Sequence, residues 1–270
     1  MRFAFKIAYF GKDFHGSQYQ PNVRTVEGEI LKALKRLGIE NPNLKFAGRT
    51  DAGVHALGQV IAFNSEEKIF PRILNSELPK DIVAWAWAKV SDDFDPRKAK
   101  SRVYMYVMFC KGLDVSSMRK AIKLLKGTHD FANFTRKFGE GESCVRSIYN
   151  ADIRIERDFL IFEIEANAFT WNMVRSIVSA LVEVGKQHKS IEWFEELLHP
   201  ERHKERVEPA PPYGLVLKDV KYDDVEFEID DYALRMLHSR FTDIIEYHGV
   251  VYKLFSLLKS DTSYSREYED

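Results

Sequence analysis

The sequence predicts an α+β fold, and three observations carry that expectation. Strand-like and helix-like segments follow one another in irregular order, not as regular alternating βα units. Across 270 residues, 45% apolar and 13% aromatic content is enough to bury a sizeable core. No run approaches the roughly 18 apolar residues that read as a membrane span. The first residues, Met1-Arg2-Phe3-Ala4-Phe5-Lys6, lack the apolar stretch and small-residue cleavage site of a signal peptide, so a cytoplasmic protein is expected.

The opening segment Arg2 to Tyr9 places large residues at 3, 5, 7 and 9, which predicts a strand with one buried face. A polar, glycine-bearing loop from Gly11 to Pro21 follows. Thr25 then suits the N-cap of a helix whose apolar positions Val26, Ile30, Leu31, Leu34 and Leu37 share one face, with Gly38 as its stop. A short strand is expected near Lys45 to Ala47, and another from Gln59 to Phe63. Phe70 to Glu77 reads as a short helix ended by Pro79. Ile82 to Val90 and Arg102 to Cys110, rich in Val, Trp and Tyr, read as strands.

The second half repeats this grammar loosely. Asp114 or Ser116 caps a basic amphipathic helix running to Lys126, and strands are expected over Ile148 to Glu156 and Phe159 to Ala166. A long helix covers Thr170 to Val184, and a shorter one Ile191 to Leu198. Glu208-Pro209-Ala210-Pro211-Pro212 breaks any regular element. Leu215 to Tyr222 reads as a strand. Two helices, Asp231 to Tyr247 and Val250 to Lys259, follow, and the polar tail from Ser260 is expected to fray. The organisation expected is residues 1–111 as a first half, 112–225 as a second, and 226–270 as an acidic helical extension.

The net charge of −1 hides an asymmetry. Residues 226–270 hold ten Asp/Glu against five Lys/Arg, so the preceding 225 residues are net +4. Arg97, Lys98, Lys100, Arg102, Lys111, Arg119, Lys120, Lys123, Lys126, Arg136 and Lys137 face only Asp114 and Asp130 within their segment, a local net of +9. Such clustering matches a polyanion partner, because phosphate contacts supply most non-specific nucleic-acid affinity. A solvated surface of solubilising lysines is the plain alternative. The two cysteines, Cys110 and Cys144, form no CxxC pair and are expected to be buried small hydrophobes.

The segment with most chemical content is Gly48-Arg49-Thr50-Asp51-Ala52-Gly53-Val54-His55-Ala56, a turn between two strands whose glycines permit close backbone approach to a ligand. Taken alone, Asp51 beside Arg49 could equally be a surface ion pair. These nine residues, with Gly58-Gln59-Val60 and Phe63 after them, resemble the signature of the tRNA pseudouridine synthase A family. Further motifs follow in the family's order. They are Val26-Glu27-Gly28, Leu78-Pro79-Lys80-Asp81-Ile82, Asp93-Phe94-Asp95-Pro96-Arg97, Arg102-Val103-Tyr104-Met105-Tyr106, Gly127-Thr128-His129-Asp130-Phe131 and Val145-Arg146-Ser147-Ile148. Ala168-Phe169-Thr170-Trp171-Asn172-Met173-Val174-Arg175 with Val184-Gly185-Lys186, and Ala210-Pro211 to Tyr222, complete a resemblance spanning residues 3–222.

The resemblance implies two related ferredoxin-like halves joined in one antiparallel sheet, with helices on the flanks and a central catalytic cleft. It implies isomerisation of uridine to pseudouridine at positions 38, 39 and/or 40 of the tRNA anticodon arm, by a homodimer that needs no cofactor. Asp51 then aligns with the nucleophilic aspartate, Arg175 with the arginine that pairs with it, and Tyr104 with the tyrosine that stacks on the target uracil. Arg49 would touch RNA or help to extrude the base. Thr50, His55 and Gln59 are the further substrate-site candidates, and Gln18, Gln20, Lys98, Lys100 and Arg102 the candidate RNA contacts. A carboxylate suits this chemistry, since breaking the C1′–N1 bond develops positive character at the sugar. Attack at C1′, attack on the base and removal of a sugar proton all stay open.

Other residues are weighed separately. His199 and His203, like Asp51 and His55, have helical ligand spacing but no third ligand nearby, so no metal site is expected. His129-Asp130 reads as a structural, RNA-facing loop. Phe131, Phe134 and Phe138 read as core contacts, and His15 joins Gln18 and Gln20 as a residue facing RNA. Trp85 and Trp87 alternate on a strand and call for no special role. Two departures from the family stand out: Ser17 where a tryptophan often precedes the glutamine, and the block beyond 226, which has no clear counterpart. A non-catalytic RNA-binding module and a metal-dependent hydrolase built on Asp51 and His55 are the competing readings.

Overall fold

The computed structural model describes residues 1–136 and 143–261. Lys137, Phe138 and the tail beyond 261 lie outside the described residues. Ten strands among these residues join in one sheet: β1 (Arg2–Tyr9), β2 (Lys45–Phe46), β3 (His55–Asn64), β4 (Ile82–Val90), β5 (Ser101–Phe109), β6 (Gly127–Asp130), β7 (Val145–Glu156), β8 (Phe159–Ala166), β9 (Leu215–Lys221) and β10 (Glu228–Ile229). Their order is β10-β4-β1-β3-β9-β5-β8-β7-β6, with β2 beside β3. The helices are α1 (Val26–Arg36), α2 (Pro71–Glu77), α3 (Val115–Lys123), α4 (Met173–Gly185), α5 (Ile191–Glu196) and α6 (Asp231–Asp261). The molecule is therefore α+β, with a large, mostly antiparallel sheet flanked by helices.

The exception to antiparallel pairing positions the site. β3 and β9 run parallel, with His55 opposite Val216 and Ala56 opposite Leu217. Parallel neighbours begin at the same end of a sheet, so the Asp51 loop entering β3 and the Pro209–Pro212 loop entering β9 emerge side by side. Gly58 allows the two strands to come this close: a Cβ there would lie 2.6 Å from the Lys218 carbonyl oxygen.

The main core lies between the sheet and α1 to α5. Phe3, Phe5, Ile7 and Tyr9 pack with Val26, Ile30 and Leu34 of α1, while Leu160, Phe162 and Ile164 pack with Val174, Ile177 and Leu181 of α4. Thr25 caps α1 by accepting from the Gly28 N–H, and Gly38 leaves the helix at φ +78°. Asp114, not Ser116, caps α3.

The one-faced reading of β1 fails. Ala8 is buried on the opposite face against Val83 and Leu237 of α6, so this central strand is covered on both sides. The two helices expected after Asp231 are one, because Gly249 does not take the left-handed conformation that ends a helix. At about 1.5 Å per residue, α6 extends roughly 46 Å. It reaches from the β4 edge to the far end of β5, where Tyr252 stacks on Phe109. His129 and Asp130 lie in strand β6 and not in a loop, paired with Arg146 and Val145. Phe131 and Phe134 are buried, whereas Cys110 and Cys144 are only half-buried. No described helix is long and apolar enough to cross a membrane.

Candidate active site

The loop that carries Asp51 is tied down from below. The Gln59 side-chain amide donates to the Gly48 carbonyl at 2.8 Å, and Tyr9 Oη and Thr50 Oγ1 are 2.7 Å apart in a buried hydrogen bond. Ser17, the departure from the family's tryptophan, accepts from the Thr50 N–H through Oγ at 2.9 Å and donates its own N–H to the Thr50 carbonyl at 3.0 Å. Gly16, at φ +94°, lets the first loop approach: a Cβ there would sit 3.1 Å from the Thr50 carbonyl oxygen. The turn closes with the Val54 N–H on the Asp51 carbonyl and with Gly53 at φ +81°. Asp51 thus projects from a loop with little freedom to move.

Its carboxylate meets two donors. Arg175 Nη1 donates to Oδ2 at 2.8 Å, and Trp171 Nε1 donates to Oδ1 at 2.9 Å. Arg175 sits in the first turn of α4 and is itself anchored, because its Nε donates to the Ala210 carbonyl at 2.6 Å in the loop entering β9. The Arg175 side chain is 13% exposed and Asp51 27% exposed, so the pair stands at the floor of an opening. Asn172 at φ +67° turns the chain sharply just before α4, placing Trp171 outside the helix and Arg175 inside it.

The opening is a cleft of about 880 Å³. Tyr104 on β5 forms part of its wall, 8% exposed, with its ring edge-on to Phe169 at 5.1 Å. Burial raises the Tyr104 phenol above its ordinary range, with Tyr9 and Asp51 nearby adding to the effect, so this ring stays neutral. Arg49 and Arg136 line the mouth, and both are exposed. Arg49 has no carboxylate partner among the described residues, while the Arg136 guanidinium lies 4.7 Å from the centre of the Trp171 ring.

The cleft collects Asp51, Arg175, Arg49, Thr50, Tyr104, His15, Gln18 and Gln20 from the residues singled out in the sequence. It leaves out His55, Gln59, Lys98, Lys100 and Arg102. His55 is turned beneath the loop, with Nδ1 accepting from the Gly11 N–H at 3.1 Å and a second backbone hydrogen bond at Tyr213. Gln59 is buried. Arg102 spends its guanidinium on the carbonyls of Ala47, Arg97, Ala99 and Asn167, and Lys100 pairs with Asp223 at 2.5 Å. Lys98 is exposed away from the cleft. His199 and His203 face Glu201 and Glu205.

Among the wall residues not proposed for the site beforehand are Trp171, Arg136 and Phe169. Trp171 stands four positions before Arg175 within the same motif, a spacing that a search for partners of Asp51 could have used. Arg136 had only its charge to mark it.

A family model described as tRNA pseudouridine synthase matches residues 121–223. A tRNA pseudouridine synthase A from Archaeoglobus fulgidus is 73% identical over 259 residues, covering 96% of this chain and 98% of that protein. The chain belongs to the tRNA pseudouridine synthase A family. Relatives of the same name from Methanosarcina acetivorans and Pyrococcus furiosus are 50% and 43% identical, covering 87% and 94% of this chain and 90% and 96% of theirs. As a member of the tRNA pseudouridine synthase A family it is an isomerase that pseudouridylates tRNA. The match to the Archaeoglobus fulgidus protein also leaves too few residues uncovered to omit the block beyond 226, which therefore has a counterpart in that relative.

Proposed function

We propose that this protein converts uridine to pseudouridine at position 38, 39 and/or 40 of the tRNA anticodon arm, with Asp51 as the nucleophile and no cofactor. The observation that carries this reading is one ion pair: an anchored arginine and a partly exposed carboxylate at the floor of an open cleft, beside a buried tyrosine face. The reaction breaks N1–C1′ and forms C5–C1′; a proton leaves C5 and another is taken up at N1. Composition and oxidation state are unchanged, so no redox partner is needed.

A uridine reaches Asp51 only if it leaves its stack. Arg49 at the mouth is free to hold a phosphate, and Tyr104 offers a ring on which the base can lie, a contact worth roughly 1–3 kcal/mol per base. The Tyr104 and Phe169 wall keeps the detached uracil from diffusing away while it turns. Arg175 holds the charge of Asp51 toward the sugar. Residues 1–111 supply Asp51 and Tyr104, residues 112–225 supply Arg175 and Trp171, and the cleft lies where the two meet. The protein acts in the cytoplasm as a homodimer, with the contact on the exposed part of α6.

Incubation of unmodified tRNA with the purified enzyme, without metal or nucleotide, followed by mapping of pseudouridine, tests activity and position together. Asp51→Ala is expected to keep the fold and tRNA affinity while forming no product. Pseudouridine made by that variant would sink the nucleophile assignment.

A further inference from the structure

Arg175 does not grip Asp51 with a two-pronged fork. Its Nε is committed to the Ala210 carbonyl, and of the two remaining nitrogens only Nη1 bonds the carboxylate, at Oδ2. A single contact leaves a carboxylate free to turn about its own axis, whereas two donors on two oxygens fix its plane. The second donor is Trp171. We propose that Trp171 is a positioning residue for the reaction, setting the plane and aim of the Asp51 carboxylate through its indole N–H; this rests on the reading of Asp51 as the nucleophile.

Three observations set this apart from ordinary packing. Trp171 is 48% exposed, so water could satisfy its N–H, yet that N–H points at Oδ1 from 2.9 Å. The backbone behind it is held on both sides. Its carbonyl accepts from the Arg136 N–H at 3.1 Å, the buried Thr170 hydroxyl bonds Thr135, and the Asn172 carbonyl accepts from the Ser176 N–H at 2.9 Å. Finally, the Arg136 guanidinium lies over the ring. Arg136 therefore braces the indole, and the indole braces the carboxylate. The chain of contacts runs from the cleft mouth to the reacting group.

The test compares Trp171→Phe with Asp51→Ala and wild type. Trp171→Phe keeps an aromatic ring for Arg136 and removes the N–H donor, at the cost of a smaller ring. Its kcat for unmodified tRNA is expected to fall on the order of ten- to a hundredfold, the scale of a misaimed reacting group, while KM stays within about twofold. In 15N-labelled protein the Trp171 indole signal, identified among the four tryptophans by its loss in Trp171→Phe, is expected to move in Asp51→Ala. Full kcat in Trp171→Phe, a loss confined to KM, or an indole signal indifferent to Asp51→Ala would overturn the proposal. Product formation by Asp51→Ala would instead overturn the nucleophile reading, leaving the indole measurement to report the contact by itself.

Discussion

Arg175 and Arg102 show how differently two arginines can be used in one molecule. Each is anchored to a backbone carbonyl near the cleft, but Arg102 gives all its reach to four carbonyls while Arg175 keeps one nitrogen for Asp51. Replacing Arg175 by leucine removes the charge facing the carboxylate and leaves the RNA-facing mouth intact. We expect kcat to fall by roughly a hundredfold or more, with tRNA affinity within about threefold, because the lost contact serves the reaction rather than binding. Steady-state kinetics beside filter binding will check this; equal losses in both would refute the role. Asp51, Arg175 and Tyr104 were legible as candidates because each stands in a motif that resembles the family's, and all three line one cleft. The uses of His55, Gln59 and Arg102 were not, since a polar residue in a motif can point into a cleft or beneath it, and spacing alone does not say which.

At the scale of elements, the start of β3 is locked to the first loop through His55. Nδ1 can accept from the Gly11 N–H only while the ring is neutral. Burial lowers the His55 imidazole below its usual 6.5, and the backbone hydrogen bond at Tyr213 offsets part of that. The folded state thus binds fewer protons at this site than the unfolded state. Its contribution to stability is complete above pH 6.5 and is lost as pH falls through the lower folded value. His55→Asn keeps an acceptor for Gly11 but does not titrate, so its thermal stability is expected to vary less between pH 8 and pH 5 than that of wild type. An unchanged pH slope in denaturation scans would remove His55 from the account. Element identity was readable where capping and periodicity agree, as in Thr25 and the apolar stripe of α1. It was misread where a glycine lacked a positive φ, as at Gly249, and where a strand's small second face is covered from elsewhere, as in β1.

For the whole molecule, α6 leaves an apolar surface uncovered. Ile245, Tyr247, Val250, Leu254, Phe255 and Leu258 are 48 to 69% exposed, a concentration that marks an interaction surface. The first part of α6, through Leu237, packs on the sheet face opposite the main core. A second copy of the chain docking on the later part would supply the contact of the proposed homodimer. Val250→Asp with Phe255→Asp is expected to yield a folded monomer in sedimentation analysis, both side chains being exposed already. A monomeric wild type would remove the homodimer, and a double variant that still dimerises would place the contact elsewhere. The basic segment from Arg97 to Arg136 is also redistributed by the fold: Arg97 pairs with Asp95, Lys100 with Asp223, and Arg136 lines the cleft.

The sequence by itself determined the α+β class, most of the strands and helices and, through its motifs, the family, and it offered Asp51, Arg175 and Tyr104 as candidates that line one cleft. Those depend on local periodicity, capping and contiguous motifs, which are properties of neighbouring residues. Only the tertiary structure decided that β3 and β9 run parallel and bring two loops to one end of the sheet. It alone turned His55 and Arg102 inward, set Arg175 to hold a single oxygen of Asp51, and gave the other to Trp171. These depend on which carbonyls and side chains lie across the fold, at sequence separations of up to 124 residues in the site itself. No local pattern encodes such distances.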